Sequence, residues 1–106
     1  MLSERDQTIA AEFQRRLKEI TPLLDLKIFG SRARGNFDEE SDLDVFIKVM
    51  NLDHPLRQRI SDLAWEVGFE MDRVISTFVV TEEQLQTGAL GASPLIYQIE
   101  QEGIHL

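Results

Sequence analysis

The stretch that decides the reading is Gly30–Asp44, GSRARGNFDEESDLD. The alternating segment Leu24-Asp25-Leu26-Lys27-Ile28-Phe29 reads as a strand and runs straight into Gly30-Ser31. An Arg- and Gly-bearing turn follows, and Asp42 and Asp44 then alternate with Leu43 and Val45 at the head of an apolar segment, Leu43–Val49. Side chains at i and i+2 of a strand share a face, about 7 Å apart. Two like charges so placed cost energy unless a cation or an arginine offsets them. Magnesium takes one or two carboxylates together with substrate phosphate oxygens, which suits this pair. Gly30 lets a phosphate approach the backbone closely, and Ser31 offers a hydroxyl and an N–H. The stretch therefore predicts a magnesium–nucleotide site with Asp42 and Asp44 as metal carboxylates and Gly30 and Ser31 as the phosphate loop. The nearby acids Asp38, Glu39 and Glu40 read as a solvated run.

Working outward, residues 3–20 predict a helix. Ser3 caps it with Asp6 three residues on, and Ile9, Phe13, Leu17 and Ile20 form one apolar stripe. Thr21-Pro22 ends it. Leu43–Val49 is apolar enough for a central strand. Asp53-His54-Pro55 starts a second long helix with Leu56, Ile60, Leu63, Ala64 and Val67 on one face, and Gly68 is the expected stop. Val74–Val80 predicts a third strand. Thr81-Glu82-Glu83-Gln84 has capping-box spacing and starts a short helix broken by Gly88 and Gly91. Ser93-Pro94 starts a last helix that closes at Gly103. The order α-β-β-α-β-α-α gives an α/β fold: a small mixed sheet of three, or four, strands with helices packed on one face.

The chain has 106 residues, 42% of them apolar and 28% charged, which reads as one domain spanning residues 1–106 with a single modest core. No apolar run reaches the length needed to span a bilayer, the N-terminus does not begin a secretory signal, and no cysteine is present. The expected compartment is the cytoplasm, with no membrane association. A net charge of −8 with only three lysines (Lys18, Lys27, Lys48) argues against direct nucleic-acid binding and suits a basic protein partner.

Phe29-Gly30-Ser31-Arg32-Ala33-Arg34-Gly35 followed by Ser41-Asp42-Leu43-Asp44 has ten residues between Ser31 and Asp42. It resembles the GSx10DxD signature of the minimal nucleotidyltransferases (MNT) in the DNA-polymerase-beta-like superfamily. The resemblance covers nearly the whole chain. The tail from Thr81 to Ile104 is also similar to that of the short members, many of which are antitoxins paired with HEPN-domain ribonuclease toxins. The resemblance implies a polymerase-beta-like fold, ATP as donor, Mg2+ as cofactor, and transfer of AMP to a tyrosine hydroxyl of a HEPN toxin within a hetero-oligomer. The competing reading is an antitoxin of weak or no catalysis that neutralises by binding alone.

The superfamily uses a third carboxylate on a later strand. Asp72, at the head of the third strand, is the candidate third metal ligand. An alignment run backwards from Val80-Thr81-Glu82-Glu83 puts Phe78 there instead and leaves no third acid. Arg32 and Arg34 flank the turn; either can clamp triphosphate oxygens bidentately, and Arg32, next to Ser31, is the preferred nucleotide-binding residue. Otherwise both pair with the acid run. His54 and His105 read as surface residues, and Trp65 and Tyr97 as core or partner surface.

Overall fold

A computed structural model describes residues 2–35 and 41–106. The expected acidic run Asp38, Glu39 and Glu40 lies outside the described residues. Helix α1 spans Glu4–Ile20, capped by Ser3, whose Oγ accepts from Asp6 N at 3.1 Å. It is followed by β1 (Leu23–Phe29), the one-turn helix α2 (Gly30–Arg34) and β2 (Leu43–Val49). Helix α3 (His54–Met71) leads to β3 (Ile75–Thr81), and α4 (Glu82–Thr87) to a 3-10 turn (Ala89–Ala92). Helix α5 (Pro94–Glu102) and the two-residue strand β4 (Ile104–His105) close the chain.

The sheet is four-stranded and mixed, in the order β3-β2-β1-β4. β1 is antiparallel to both β2 and β4, whereas β2 and β3 run parallel. β2 is central, and its odd positions Leu43, Val45, Ile47 and Val49 are buried against α1 and α3. The stripe Ile9, Phe13 and Leu17 of α1 and the face Ile60, Leu63, Ala64 and Val67 of α3 fill that layer. Arg16 fastens the two helices at the surface, reaching Glu12 at 2.8 Å and Glu70 at 2.7 Å.

The two long helices take the expected face. The last helix departs from it: α5 lays Ile96 and Ile99 on the opposite face, against Phe46 and Val80. Phe29 and Phe78 pack at the edge of this smaller cluster, and Phe78 meets Phe46 edge-on at 6.2 Å between ring centroids. The opposite face is therefore covered only in part.

Two expected boundaries move. Gly30-Ser31 opens a turn of helix rather than an irregular turn, with Gly35 ending it in the left-handed region. Gly68 does not stop α3, which continues to Met71 and is capped by Asp72 at φ 55°. Gly68 instead leaves room for the chain to fold back: its carbonyl accepts from Arg73 N at 2.9 Å, and a Cβ there would strike the Arg73 carbonyl oxygen. The Thr81 capping box forms as expected, with Gln84 N donating to Thr81 Oγ1 at 3.1 Å and Thr81 N to Gln84 Oε1 at 2.9 Å. Among the described residues no helix is long and apolar enough to cross a membrane.

Candidate active site

The site lies where β1 ends and β2 begins. Phe29, the last residue of β1, pairs across the ladder with Asp44. Residues paired in a ladder share a face, so Asp44 projects on the side that carries Phe29, Phe46 and α5, away from the main core. Asp42, exposed, lies just before the first residue of β2. The two carboxylates are close enough to feel each other. Partial burial and then the Asp42 charge push the Asp44 carboxyl above its ordinary value, and Arg34 offsets this from a distance.

Gly30 is built around that carboxylate. It sits at φ 78°, and a Cβ there would fall on Asp44 Oδ2, with Cγ at 3.2 Å. The glycine therefore answers two demands at once: a backbone angle that L side chains rarely take, and clearance for Asp44. Ser31 follows, half-buried in the first turn of α2. The first amides of a helix have no intrahelical acceptor, so the Gly30-Ser31 backbone and the two carboxylates bring donors and acids together.

Arg32 goes elsewhere. The residue expected to reach a nucleotide is 1% exposed. Its Nη1 donates to Asp6 Oδ2 at 3.0 Å and its Nε to the Ser41 carbonyl at 2.8 Å. A guanidinium committed to the interior does not fit the role of phosphate clamp. Arg34 fits it better: it is exposed, acts on Asp44 through space, and among the described residues reaches Glu102 at 3.5 Å.

The position beside Asp44 on β3 is Ser76, and Phe78 stands one pair deeper, beside Phe46. Asp72 is at neither position. It caps α3 three residues before β3, exposed, bordering a hollow of about 850 Å3 that Trp65, Phe69 and Ser41 also line. Among the described residues no three acids or histidines gather closely enough to hold a metal ion. The structure thus brings Asp42 and Asp44 together and leaves Asp72 apart. Ser76 and Arg34 are the neighbours of the pair that strand periodicity could not single out, because only the β2–β3 register reveals the first. Trp65 and Tyr97 are surface residues, at 76% and 65% exposure. His54 is exposed too, and His105 meets Asp25 across the β1–β4 edge at 3.1 Å.

The family model for the nucleotidyltransferase domain matches residues 10–103. The chain belongs to the nucleotidyltransferase-domain family. Its fold is also that of solved nucleotidyltransferase structures. A structure proposed to be a minimal nucleotidyltransferase superposes with a TM-score of 0.65 at 20% identity, covering 100% of this chain and 97% of that one. A toxin–antitoxin crystal structure with AMP-PNP gives 0.60 at 22% identity, covering 89% and 69%. The complex of a tri-AMPylated Shewanella oneidensis HEPN toxin with its MNT antitoxin gives 0.58 at 19%, covering 94% and 70%. No curated protein matches this nucleotidyltransferase-domain chain.

The donor set of this nucleotidyltransferase site suits a hard divalent cation. Asp42 and Asp44 supply carboxylate oxygens, and no lysine or arginine forms an ion pair with either among the described residues.

Proposed function

We propose that this chain is an antitoxin that transfers AMP from Mg-ATP to a tyrosine hydroxyl of a HEPN-domain ribonuclease toxin, in a cytoplasmic hetero-oligomer with that toxin. The observation that carries the reading is the fit of Gly30 around the Asp44 carboxylate, which joins the phosphate loop to the acid pair. Asp42 and Asp44 would hold Mg2+, which when bound neutralises phosphate charge and polarises the bond that breaks. Gly30 and Ser31 orient the triphosphate along the first turn of α2. Arg34, with its guanidinium at the surface near Asp44, steadies the leaving pyrophosphate. The acceptor hydroxyl gives up its proton to solvent as the new phosphoester bond forms and the bond to the leaving pyrophosphate breaks. Most of the acceleration comes from positioning and charge neutralisation. Two of the structural relatives are toxin–antitoxin complexes, and one is described with an AMPylated HEPN toxin, which supports toxin as acceptor and ATP as donor.

The test is co-incubation of the chain with its HEPN toxin, Mg2+ and labelled ATP. Label should appear on the toxin as AMP, and Asp42→Asn with Asp44→Asn should abolish it while the fold persists. Toxin that is separated afterwards unmodified and fully active would overturn the enzymatic reading.

A specific observation favours the second reading, neutralisation by binding alone: Ser76 and Phe78 occupy the β3 positions on the site's face, with no third acid there among the described residues. In that case separation should return active toxin, and the two Asn substitutions should leave neutralisation intact.

A further inference from the structure

Behind the site, outside the acid pair, lies a buried charged cluster. Asp6 is fully buried, although its sequence position suggests only a capping residue in the first turn of α1. Its Oδ2 accepts from Arg32 Nη1 at 3.0 Å and its Oδ1 from Arg73 Nε at 3.2 Å. Arg32 spends its Nε on the carbonyl of Ser41, at 2.8 Å. Four segments meet there: the start of α1, the phosphate loop one residue after Ser31, the backbone one residue before Asp42, and the turn that leads into β3. The last is tied in twice more. Leu43 N donates to the Val74 carbonyl at 2.8 Å, and Arg73 N to the Gly68 carbonyl at 2.9 Å.

Such a cluster is costly for stability alone. Taking a carboxylate and a guanidinium group out of water, with a second guanidinium partly covered, carries a desolvation penalty, and well-packed hydrocarbon of like volume often serves a core as well or better. Hydrocarbon cannot, however, donate to the Ser41 carbonyl. Every buried side-chain polar atom among the described residues has a hydrogen-bond partner, so the cluster is a finished network.

We propose that Asp6, through Arg32, is a positioning residue of the nucleotide site. It sets the separation between the Gly30-Ser31 turn and the Asp42 end of β2, while Arg73 fixes the neighbouring start of β3. The role rests on reading that site as the one that holds Mg-ATP, but the spacing itself is a property of the fold. Arg32 thus serves the nucleotide through Ser41 and Asp42.

Three variants test it: Asp6→Asn, Arg32→Lys and, as a control on the same helix, Ile9→Val, which trims the buried stripe one turn after Asp6 without removing a charged group. Lysine can keep the ion pair with Asp6, but its single ammonium lacks the forked geometry needed to hold the Ser41 carbonyl as well. It therefore remains informative if Asp6→Asn fails to fold. Hydrogen exchange is read on peptides spanning residues 30–35 and 41–44. Faster exchange there in Arg32→Lys, with the β1–β2 ladder still protected and Ile9→Val unchanged in these peptides, is the expected result. Exchange in these peptides no faster than in Ile9→Val would overturn the proposal, leaving the cluster as ordinary core. This readout needs no catalysis, so it decides the positioning role even if AMP transfer is never seen. Where transfer is measured, outer-shell positioning predicts at least about a tenfold loss of kcat, a rise in the Mg2+ needed for half-activation, and no such change in Ile9→Val.

Discussion

Replacing Gly30 with alanine probes the tightest link between loop and acid pair. The added Cβ faces two penalties. At φ 78° an L residue pays ~1–2 kcal/mol relative to glycine. The methyl also lands on Asp44 Oδ2, so the Asp44 side chain must leave its rotamer, for ~0.5–1.5 kcal/mol. Together the loss is roughly 1.5–3.5 kcal/mol, or about 7–16 °C in Tm for a chain of this size. Activity should suffer more, because a carboxylate displaced by about 1 Å costs on the order of 100-fold in a positioned site. Thermal melts and AMP-transfer rates would be measured for Gly30→Ala, Asp44→Ala and the double variant. Asp44 Cβ lies 3.5 Å from the built methyl, an ordinary contact, so truncating Asp44 removes the clash and keeps only the backbone strain. In the Asp44→Ala background the stability cost of Gly30→Ala should therefore shrink to ~1–2 kcal/mol. Equal costs in both backgrounds, or wild-type stability and rate for Gly30→Ala, would refute the claim that this glycine exists to admit Asp44.

Further expectations follow from the same geometry. Because the folded Asp44 carboxyl titrates above its unfolded value, the native state holds more protons through that window. Stability without metal should fall as pH rises through the folded pKa, and Asp44→Asn should melt higher than wild type at neutral pH while losing transfer; a lower melting temperature for Asp44→Asn would contradict this. Asp72→Asn should leave transfer within about twofold, since an exposed cap residue outside the acid pair contributes little, and a large loss in a rate assay would return Asp72 to the site. Ser76→Asp, which sets a third carboxylate beside Asp44, should lower the Mg2+ concentration for half-maximal thermal stabilisation; unchanged metal dependence would argue against that position. Gly68→Ala should destabilise by about 1–3 kcal/mol in a denaturant titration, because the Arg73 carbonyl has nowhere to go.

Much of the architecture could be read from periodicity and caps. The stripe Ile9, Phe13 and Leu17, the run Leu43–Val49, and the Asp53 and Thr81 caps all fold as their spacing indicates. The misreadings share a cause: a local signal was overridden by a contact distant in sequence. Gly68 looks like a helix stop, but it is a clearance glycine for the returning chain at Arg73. Arg32 looks like a phosphate ligand because it follows Ser31, yet its counter-ion Asp6 lies 26 positions away. The two-residue strand β4 is too short to have a pattern, and exists because β1 offers an open edge at Lys27 and Ile28.

The third-carboxylate question shows the limit most clearly. From the chain alone, Asp72 and Phe78 were both open, because a strand's register against its neighbour is not encoded in its own alternation. The parallel ladder resolves the geometry by pairing Asp44 with Ser76 and Phe46 with Phe78. Phe78 is held in place by its edge-on contact with Phe46 and by the α5 cluster, so shifting β3 to bring an acid forward would take apart that second core. The acid pair must therefore work with a hydroxyl at its side. With two carboxylates at the site among the described residues, more of a cation's coordination falls to phosphate oxygens and water, so metal and nucleotide should bind as a unit. Calorimetry would show this as weak Mg2+ binding alone and much tighter binding with a non-hydrolysable ATP analogue; equally tight binding of Mg2+ without nucleotide would mean that a further protein ligand completes the site.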